Sequence, residues 1–250
     1  MKKLMAANWK MYKIRREAAD MLNALTAALP EIPADREVVI FAPFTILATC
    51  SDILQAAKGF SLGAQNMYPA DQGAFTGEIS PRMLKDCGCA WVLTGHSERR
   101  AIFKESSSFV GEKTVFALEQ GLRVVLCIGE TLEEREAGRL EAVLASQLEQ
   151  GLAAVADNCS PDDLAIAYEP VWAIGTGKVA GPAEILESHA LVRTWLQKRF
   201  PKQGSHLRVL YGGSVKPENS DEIMTLDNVD GLLVGGASLD AEIFRRVVLA

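Results

Sequence analysis

The chain has 250 residues, of which 48% are hydrophobic and 23% are charged. This length suits one large domain or two small ones, and the apolar content can fill a sizeable core. The formal net charge is -6, which disfavours non-specific nucleic-acid binding because such binding needs a basic surface. A small anionic ligand stays compatible with this charge, since backbone N–H groups and one or two lysines can form a local positive site.

The five cysteines are odd in number and show no disulfide spacing, which is typical of a reducing compartment. Cys87-Gly88-Cys89 lacks a second cysteine pair or a paired histidine, so we expect no metal site. The amino terminus has no apolar signal-peptide segment, and no apolar run reaches membrane-spanning length. We therefore expect a soluble, cytoplasmic protein that binds neither membranes nor nucleic acid.

Short apolar runs alternate with longer amphipathic segments along the chain. Brief apolar runs separated by helical segments indicate parallel strands covered by helices. The predicted strands are Leu4–Ala7, Glu37–Ala42, Phe60–Gly63, Trp91–Thr94, Arg123–Ile128, Leu164–Tyr168, Leu207–Tyr211 and Gly231–Val234.

The intervening segments carry helix start signals. Ser80-Pro81 places a capping residue before a proline at the first helical position, and Pro182 and Pro217 hold similar positions. Thr131–Glu134 has the capping-box pattern. An apolar stripe at helical spacing follows, formed by Leu140, Val143, Leu144, Leu148 and Leu152.

Eight strand–helix units in this length predict an α/β fold, a (β/α)8 TIM barrel. A doubly wound open sheet would place a Gly-rich fingerprint after the first strand, whereas Asn8-Trp9-Lys10 stands there. No linker or composition shift divides the chain, so we expect residues 1–250 to form a single domain.

In such a barrel the active site lies at the carboxyl ends of the strands, where Lys10, His96 and Glu169 stand. Taken singly, these are most often a surface lysine, a structural histidine and a structural acid. Together in one mouth they suit proton transfer beside a carbonyl. Glu169 would remove a carbon-bound proton, and His96 and Lys10 would stabilise the resulting oxyanion.

Neighbouring polar residues have simpler interpretations. We expect Glu98, Arg99 and Glu130 to form ion pairs that fix the rim, and Cys127 to be a packing residue. Ser97 is predicted to cap a helix whose amino terminus points at the imidazole of His96. The partial positive charge at the helix amino terminus disfavours a charged imidazolium and would keep the imidazole neutral.

Glycine-rich turns follow the last two predicted strands. Gly212-Gly213-Ser214 and Gly235-Gly236 predict a phosphate site, because glycine lets backbone N–H groups approach an oxyanion closely. Gly177-Lys178 does not belong to a nucleotide P-loop, since Trp172 and Val179 stand where that motif needs Gly and Ser or Thr.

Pro170 should end the sixth strand because it cannot donate a ladder hydrogen bond. The apolar loop that follows, Val171–Ile174, is typical of a lid that excludes water. Gly175 and Gly177 would give this lid its far hinge.

Motifs along essentially the whole chain, in order, resemble triosephosphate isomerase. They are Asn8-Trp9-Lys10-Met11, Gly95-His96-Ser97-Glu98-Arg99-Arg100, Cys127-Ile128-Gly129-Glu130, the Glu169 stretch from Ala167 to Lys178, Tyr211-Gly212-Gly213-Ser214-Val215 and Leu232-Leu233-Val234-Gly235-Gly236. The resemblance implies interconversion of dihydroxyacetone phosphate and glyceraldehyde 3-phosphate through an enediolate, in glycolysis and gluconeogenesis, without a cofactor.

The resemblance also implies roles for individual residues. In this family a Glu base works with a neutral His, which assigns those roles to Glu169 and His96. Asn8 and Lys10 would contact substrate, and Pro170–Lys178 would be the lid. Backbone donors to the phosphate would be Gly175, Ser214, Gly235 and Gly236.

The family further suggests a homodimer formed through the Gln65–Glu78 loop, with Thr76 reaching toward the partner's site. Two stretches depart from the family pattern, Tyr12 and Ile102–Ser107, and both lie away from the chemical centre. Two alternatives stay open at this point: a phosphosugar-binding scaffold without turnover, and an aldolase. The scaffold would not need a base, and the aldolase would need a Schiff-base lysine or a metal site.

Overall fold

A computed structural model of the chain describes residues 1–174 and 179–250. Within these residues eight parallel strands pair in sequence order and close into a barrel, which confirms the predicted (β/α)8 TIM barrel. The strands are β1 (Lys3–Asn8), β2 (Arg36–Ala42), β3 (Phe60–Ala64), β4 (Trp91–Thr94), β5 (Arg123–Ile128), β6 (Leu164–Tyr168), β7 (Arg208–Tyr211) and β8 (Gly231–Val234). All eight predicted strands are present, with ends that differ by at most one residue.

The helices lie between and after the strands. They are α1 (Arg15–Ala28), α2 (Leu47–Leu54), α3 (Pro81–Asp86), α4 (Ser97–Ala101), α5 (Ser107–Glu119), α6 (Leu132–Glu136), α7 (Leu140–Leu152), α8 (Pro182–Arg199), α9 (Pro217–Met224) and α10 (Ala241–Leu249). Short 3-10 helices cover Phe44–Ile46, Val171–Ala173 and Gly236–Leu239. In the described part of the chain no helix is both long and apolar enough to cross a membrane.

The helix starts predicted at Ser80, Thr131, Pro182 and Pro217 are confirmed. Ser80 accepts a hydrogen bond from the backbone of Met83 at the start of α3, and Thr131 forms a capping box with Glu134 at the start of α6. The apolar stripe belongs to α7, a separate helix that follows a turn at Gly138, whose φ of 68° favours glycine. Its buried members are Leu140, Leu144, Leu148 and Leu152.

Two apolar layers hold the barrel together. The outer layer lies between the strands and the helices, and the inner layer fills the barrel interior with side chains such as Phe41, Leu93 and Leu210. Toward the strand beginnings Trp91 is fully buried, with the guanidinium groups of Arg123 and Arg208 each 5.3 Å from its ring centroid. The interior is therefore packed, and the carboxyl ends of the strands are left to form a site.

Candidate active site

Glu169 follows the last residue of β6 and is only 2% exposed. One carboxylate oxygen, Oε1, lies 3.0 Å from Nε2 of His96. The other, Oε2, accepts the backbone N–H of Ser97 at 2.9 Å. The ends of β4 and β6 thus place the predicted acid and the predicted histidine in direct contact.

The hydrogen bonds of His96 define its tautomer. Its Nδ1 accepts the backbone N–H of Glu98 at 3.3 Å, so Nδ1 carries no proton. The ring proton of the neutral imidazole then lies on Nε2 and is donated to Glu169. His96 itself is the N-cap of α4, so the prediction that Ser97 is the cap was wrong by one residue.

Opposing influences act on the carboxyl group of Glu169. Burial by itself would raise its pKa, but the contact with His96, the N–H of Ser97 and the charge of Lys10 together outweigh burial and lower the pKa below its usual value. Glu169 is therefore an ionised carboxylate at neutral pH. Because both of its oxygens hold a hydrogen bond, its basicity is restrained in this arrangement.

Lys10 follows β1 and lines the same mouth. Its backbone adopts the left-handed region, with a φ of 50°. Asn8 supports this turn by accepting the N–H of Lys10 at 3.0 Å, and the side-chain amide of Gln65 donates to the Lys10 carbonyl at 2.8 Å. The ammonium group lies 2.5 Å from the carboxylate of Glu98. A cation in a strained turn, held by three polar contacts, is placed with little freedom.

One cavity of about 810 Å³ collects the predicted site residues. Its lining includes Asn8, Lys10, His96, Glu169, Ser214, Gly235 and Gly236. The remaining predicted residue, Gly175, and the far hinge of the predicted lid lie outside the described residues.

Close approach explains the glycines of the turn after β7. A Cβ atom at Gly212 would lie 3.0 Å from Cγ of Glu169, and one at Gly213 would lie 2.2 Å from the hydroxyl of Tyr211. The two glycines after β8 differ in the space around them. A Cβ at Gly235 would lie 3.3 Å from Cε of Lys10, whereas one at Gly236 would meet no atom within 4 Å. Crowding thus requires glycine at Gly213 and not at Gly236.

The expected rim ion pairs are present. Lys10 pairs with Glu98, Arg99 with Glu105 at 2.6 Å, and Arg135 with Glu130 at 3.2 Å.

Glu130 does more than the sequence indicated. The same oxygen, Oε1, also accepts the hydroxyl of Tyr168 at 3.0 Å and the indole N–H of Trp172 at 2.8 Å. This fully buried carboxylate therefore joins the end of β6 to the start of the predicted lid. The neighbouring positions of Glu130 after β5 and Tyr168 at the end of β6 are the sequence signal that points to this contact.

Cys127 is fully buried among the apolar residues of the barrel interior, which confirms that it is a packing residue. Burial and the nearby carboxylate of Glu169 raise the pKa of its thiol well above the usual value, so it is not a thiolate nucleophile. All five cysteines are free. Among the described residues no group of three or more His, Cys, Asp or Glu side chains is placed to hold a metal ion.

A second, smaller cavity of about 200 Å³ lies on the other side of Lys10 and Glu98. Its lining includes Met11, Phe44 and Phe103, all exposed apolar side chains, of which Met11 is 95% exposed. The neighbouring loop carries another exposed aromatic residue, Phe75, whose ring centroid lies 4.5 Å from that of Tyr68. The active-site mouth therefore borders an apolar surface.

Comparison with known proteins agrees with the arrangement of the site. The family model described as triosephosphate isomerase matches residues 3–250. A triosephosphate isomerase of Nitratidesulfovibrio vulgaris (strain DSM 19637 / Miyazaki F) is 64% identical, and one of Oleidesulfovibrio alaskensis is 61% identical, each over 100% of both chains. The triosephosphate isomerase of Lawsonia intracellularis is 50% identical over 100% of this chain and 98% of its own. The chain therefore belongs to the triosephosphate isomerase family and is an isomerase.

Proposed function

We propose that the chain interconverts dihydroxyacetone phosphate and D-glyceraldehyde 3-phosphate through an enediolate, as a cytoplasmic enzyme of glycolysis and gluconeogenesis that uses no cofactor. The observation that carries this proposal is the pair of Glu169 and His96. A buried, ionised carboxylate accepts a hydrogen bond from a neutral imidazole in the cavity that also holds Lys10. A base and a neutral donor side by side suit proton transfer next to a carbonyl.

Glu169 acts as the base. In the present arrangement the N–H of Ser97 holds one of its oxygens, which keeps the carboxylate a weak base. Substrate bound in the cavity must replace that hydrogen bond before a carbon-bound proton can be taken. Losing the bond and excluding water both raise the pKa of Glu169, so the carboxylate becomes a stronger base when substrate is present.

His96 and Lys10 act on the oxygen that becomes negative. The proton on Nε2 of His96 is available to the substrate oxygen once Glu169 has turned toward carbon. A neutral imidazole that donates a hydrogen bond can support an enediolate without transferring its proton completely. Lys10 contributes positive charge to the same mouth, and Asn8, which holds the turn of Lys10, contacts substrate beside it.

The phosphate group is bound at the glycine turns. Ser214, Gly235 and Gly236 line the same cavity as Glu169 and His96, and Gly175 belongs to the same group by resemblance. Backbone N–H groups at such turns bind oxyanions without needing side-chain charge, which explains an anion site in an acidic protein. The lid, Pro170–Lys178, begins with the 3-10 helix Val171–Ala173 and would close over the bound substrate.

Incubation of purified protein with dihydroxyacetone phosphate in deuterium oxide tests the enediolate route. Proton removal by a carboxylate allows exchange with solvent, so deuterium should enter at the carbon next to the carbonyl. NMR of the recovered substrate and product measures this. The variant Glu169→Gln should lose the exchange, and Glu133→Gln, which changes an exposed glutamate of α6, should keep it. Isomerisation without any deuterium incorporation would contradict the proposal.

We also propose that the chain is a single domain, residues 1–250, that forms a homodimer through the Gln65–Glu78 loop. The apolar surface around Met11, Phe75 and Phe103 supports this, because a contiguous apolar patch beside a site is typical of an interface. Thr76 is exposed at the tip of the loop and would reach the partner's site.

Sedimentation of the parent and two charge variants tests the dimer. Phe103→Glu should give monomers because it places a charge in the apolar surface. Leu186→Glu, on α8 and of comparable chemistry, should leave the dimer intact. A monomeric parent protein at micromolar concentration would contradict the homodimer.

A further inference from the structure

His189 lies on α8, behind the site, and is fully buried. Its ring centroid is 5.9 Å from that of Tyr168 in a T-shaped arrangement and 6.4 Å from that of Tyr211. These tyrosines are the last residues of β6 and β7. The residues that follow them are Glu169 and Gly212, so one imidazole packs against the ends of two strands that carry the site.

The imidazole of His189 is held in one orientation. Its Nδ1 lies 2.8 Å from the carbonyl oxygen of Asn228. A carbonyl can only accept, so the proton is on Nδ1 and Nε2 is bare. Nε2 is buried and, within the described ranges, has no hydrogen-bond partner. A buried Nε2 without a proton indicates a neutral ring. Such a ring supports its neighbours by packing against them and not by its charge.

The surroundings of His189 are rigid. One turn along α8, Arg193 donates to the carbonyls of Gly204 and Leu207 at 2.7 and 2.6 Å and pairs with Asp230 at 2.5 Å. The charges of Arg193 and Asp230 act electrostatically on the imidazole of His189. The charge of Glu184 acts in the same way on the neighbouring Tyr211. This clamp fixes α8 against β7 and the turn before β8, so the ring has little room to move.

The two tyrosines connect His189 to the working parts of the site. The Tyr211 hydroxyl lies against Gly213, where an added Cβ would come within 2.2 Å of that hydroxyl and 3.0 Å of Pro170. Tyr211 therefore lies against the turn Gly212–Ser214, and Pro170, the first residue of the predicted lid, borders the same glycine. Tyr168 donates to Glu130, the carboxylate that also accepts the indole of Trp172.

We propose that His189 is a positioning residue for the isomerase reaction: its neutral ring, wedged between Tyr168 and Tyr211, sets the distance between Glu169 and the phosphate turn Gly212–Ser214. It acts through the two tyrosines and does not touch substrate. The inference rests on the proposed roles of Glu169 and of the glycine turns. Its physical basis is that an error of about 1 Å between a base and a bound substrate can reduce rate by about a hundredfold.

Two variants separate the ring from its hydrogen bond. His189→Asn keeps an amide nitrogen that can donate to the Asn228 carbonyl but removes the ring. His189→Phe keeps a ring between the tyrosines but leaves that carbonyl without its donor. His206→Asn, at an exposed histidine, is the matched control.

The readouts are kcat, KM, the melting temperature and the Kd for inorganic phosphate measured by calorimetry. We expect His189→Asn to lower kcat by about tenfold or more, and to weaken phosphate binding. His189→Phe should keep kcat within a few-fold of the parent while its melting temperature falls. A purely structural role predicts lower melting temperatures with unchanged kcat, KM and phosphate binding in the folded enzyme. That result for His189→Asn would overturn the inference, as would equal losses of kcat in both variants.

Failure of the proposed function gives a different result. A parent protein without turnover would contradict the isomerase mechanism. Phosphate calorimetry would still show whether His189 positions the phosphate turn Gly212–Ser214. In that case unchanged phosphate binding in His189→Asn overturns the inference. Weaker phosphate binding in His189→Asn, together with unchanged phosphate binding in His189→Phe, supports it.

Discussion

The backbone N–H of Ser97 donates to Oε2 of Glu169 at 2.9 Å, while His96 holds Oε1 of the same carboxylate at 3.0 Å. Both oxygens of the proposed base are therefore engaged by consecutive residues at the start of α4. A substrate that needs the carboxylate must compete with one of these bonds. The base is thus kept ionised and weak until the site is filled.

Removing the Ser97 N–H should raise the pKa of Glu169. Ser97 is the first residue of α4, where proline is tolerated, and the ψ of 142° at His96 suits a residue before proline. Burial already favours the protonated acid, and the N–H of Ser97 is one of the groups that oppose it. In Ser97→Pro the acid limb of the kcat/KM pH profile should move to higher pH. Ser97→Ala, which keeps the N–H, should leave the limb in place; coincident limbs in parent and proline variant would refute the assignment.

Lys10→Met should raise KM because the cavity loses a positive charge next to the turn at Gly235. A hydrogen bond to a charged group contributes about 1.5–3 kcal/mol, so KM should rise by roughly 10- to 100-fold. The Lys10–Glu98 pair is partly exposed, and we expect little change in the free energy of unfolding. Steady-state kinetics and urea unfolding measure both quantities, with Lys2→Met as an exposed control. An unchanged KM in Lys10→Met would remove the lysine from substrate binding.

Gly213→Ala and Gly236→Ala form a matched pair. The first introduces a Cβ within 2.2 Å of the Tyr211 hydroxyl, and the second introduces one with no atom within 4 Å. Overpacking typically lowers the free energy of unfolding by about 1–3 kcal/mol, so Gly213→Ala should be destabilised by that amount. Gly236→Ala should stay within about 0.5 kcal/mol of the parent. Urea unfolding compares them, and equal stability of the two variants would show that the turn after β7 is not crowded.

The stability of the protein should depend on His189 between pH 6.5 and 4. Burial, only partly opposed by the Asn228 carbonyl and Asp230, lowers the pKa of His189 from its usual 6.5 to about 4. Above pH 6.5 the imidazole is neutral in both states, so its contribution is constant. As pH falls below 6.5, His189 is protonated in the unfolded chain but stays neutral in the folded protein. The free energy of unfolding therefore decreases.

The size of this effect follows from the two pKa values. Each unit is worth about 1.4 kcal/mol, so the full loss is about 3 kcal/mol by pH 4. His189→Phe lacks the titrating group, and its stability should fall less steeply over the same interval. Urea unfolding at several pH values gives both slopes. Parallel slopes for parent and variant would mean that the imidazole takes up its proton equally in both states.

Much of this site could be predicted from the sequence, because strand ends in a parallel barrel converge on one mouth. The placement of Glu169, His96 and Lys10 after apolar runs was enough to bring them together. The sequence predicts the helix cap one residue late, at Ser97 instead of His96, because side-chain preferences favour serine and sequence does not define helix ends to within a residue.

The supporting contacts were harder to predict. Three donors meet at one oxygen of Glu130. Strand position indicates the contact with Tyr168, but only the folded barrel shows that Arg135 and Trp172 donate to the same oxygen. The contact of His189 with two tyrosines depends on which face of α8 turns toward the barrel. Local pattern does not define such long-range packing, because several faces of α8 carry apolar residues.

A coupled assay of Glu169→Gln with D-glyceraldehyde 3-phosphate tests the central claim most directly. Removing a general base typically lowers rate by about 10²- to 10⁴-fold, so kcat should fall by at least about a hundredfold while the parent and Glu133→Gln turn over normally. The fold should persist, because glutamine nearly matches glutamate in shape and its single carbonyl oxygen can still accept one of the two N–H groups that bind Glu169. A variant as active as the parent would contradict the role of Glu169, and a parent without turnover would contradict the isomerase mechanism itself.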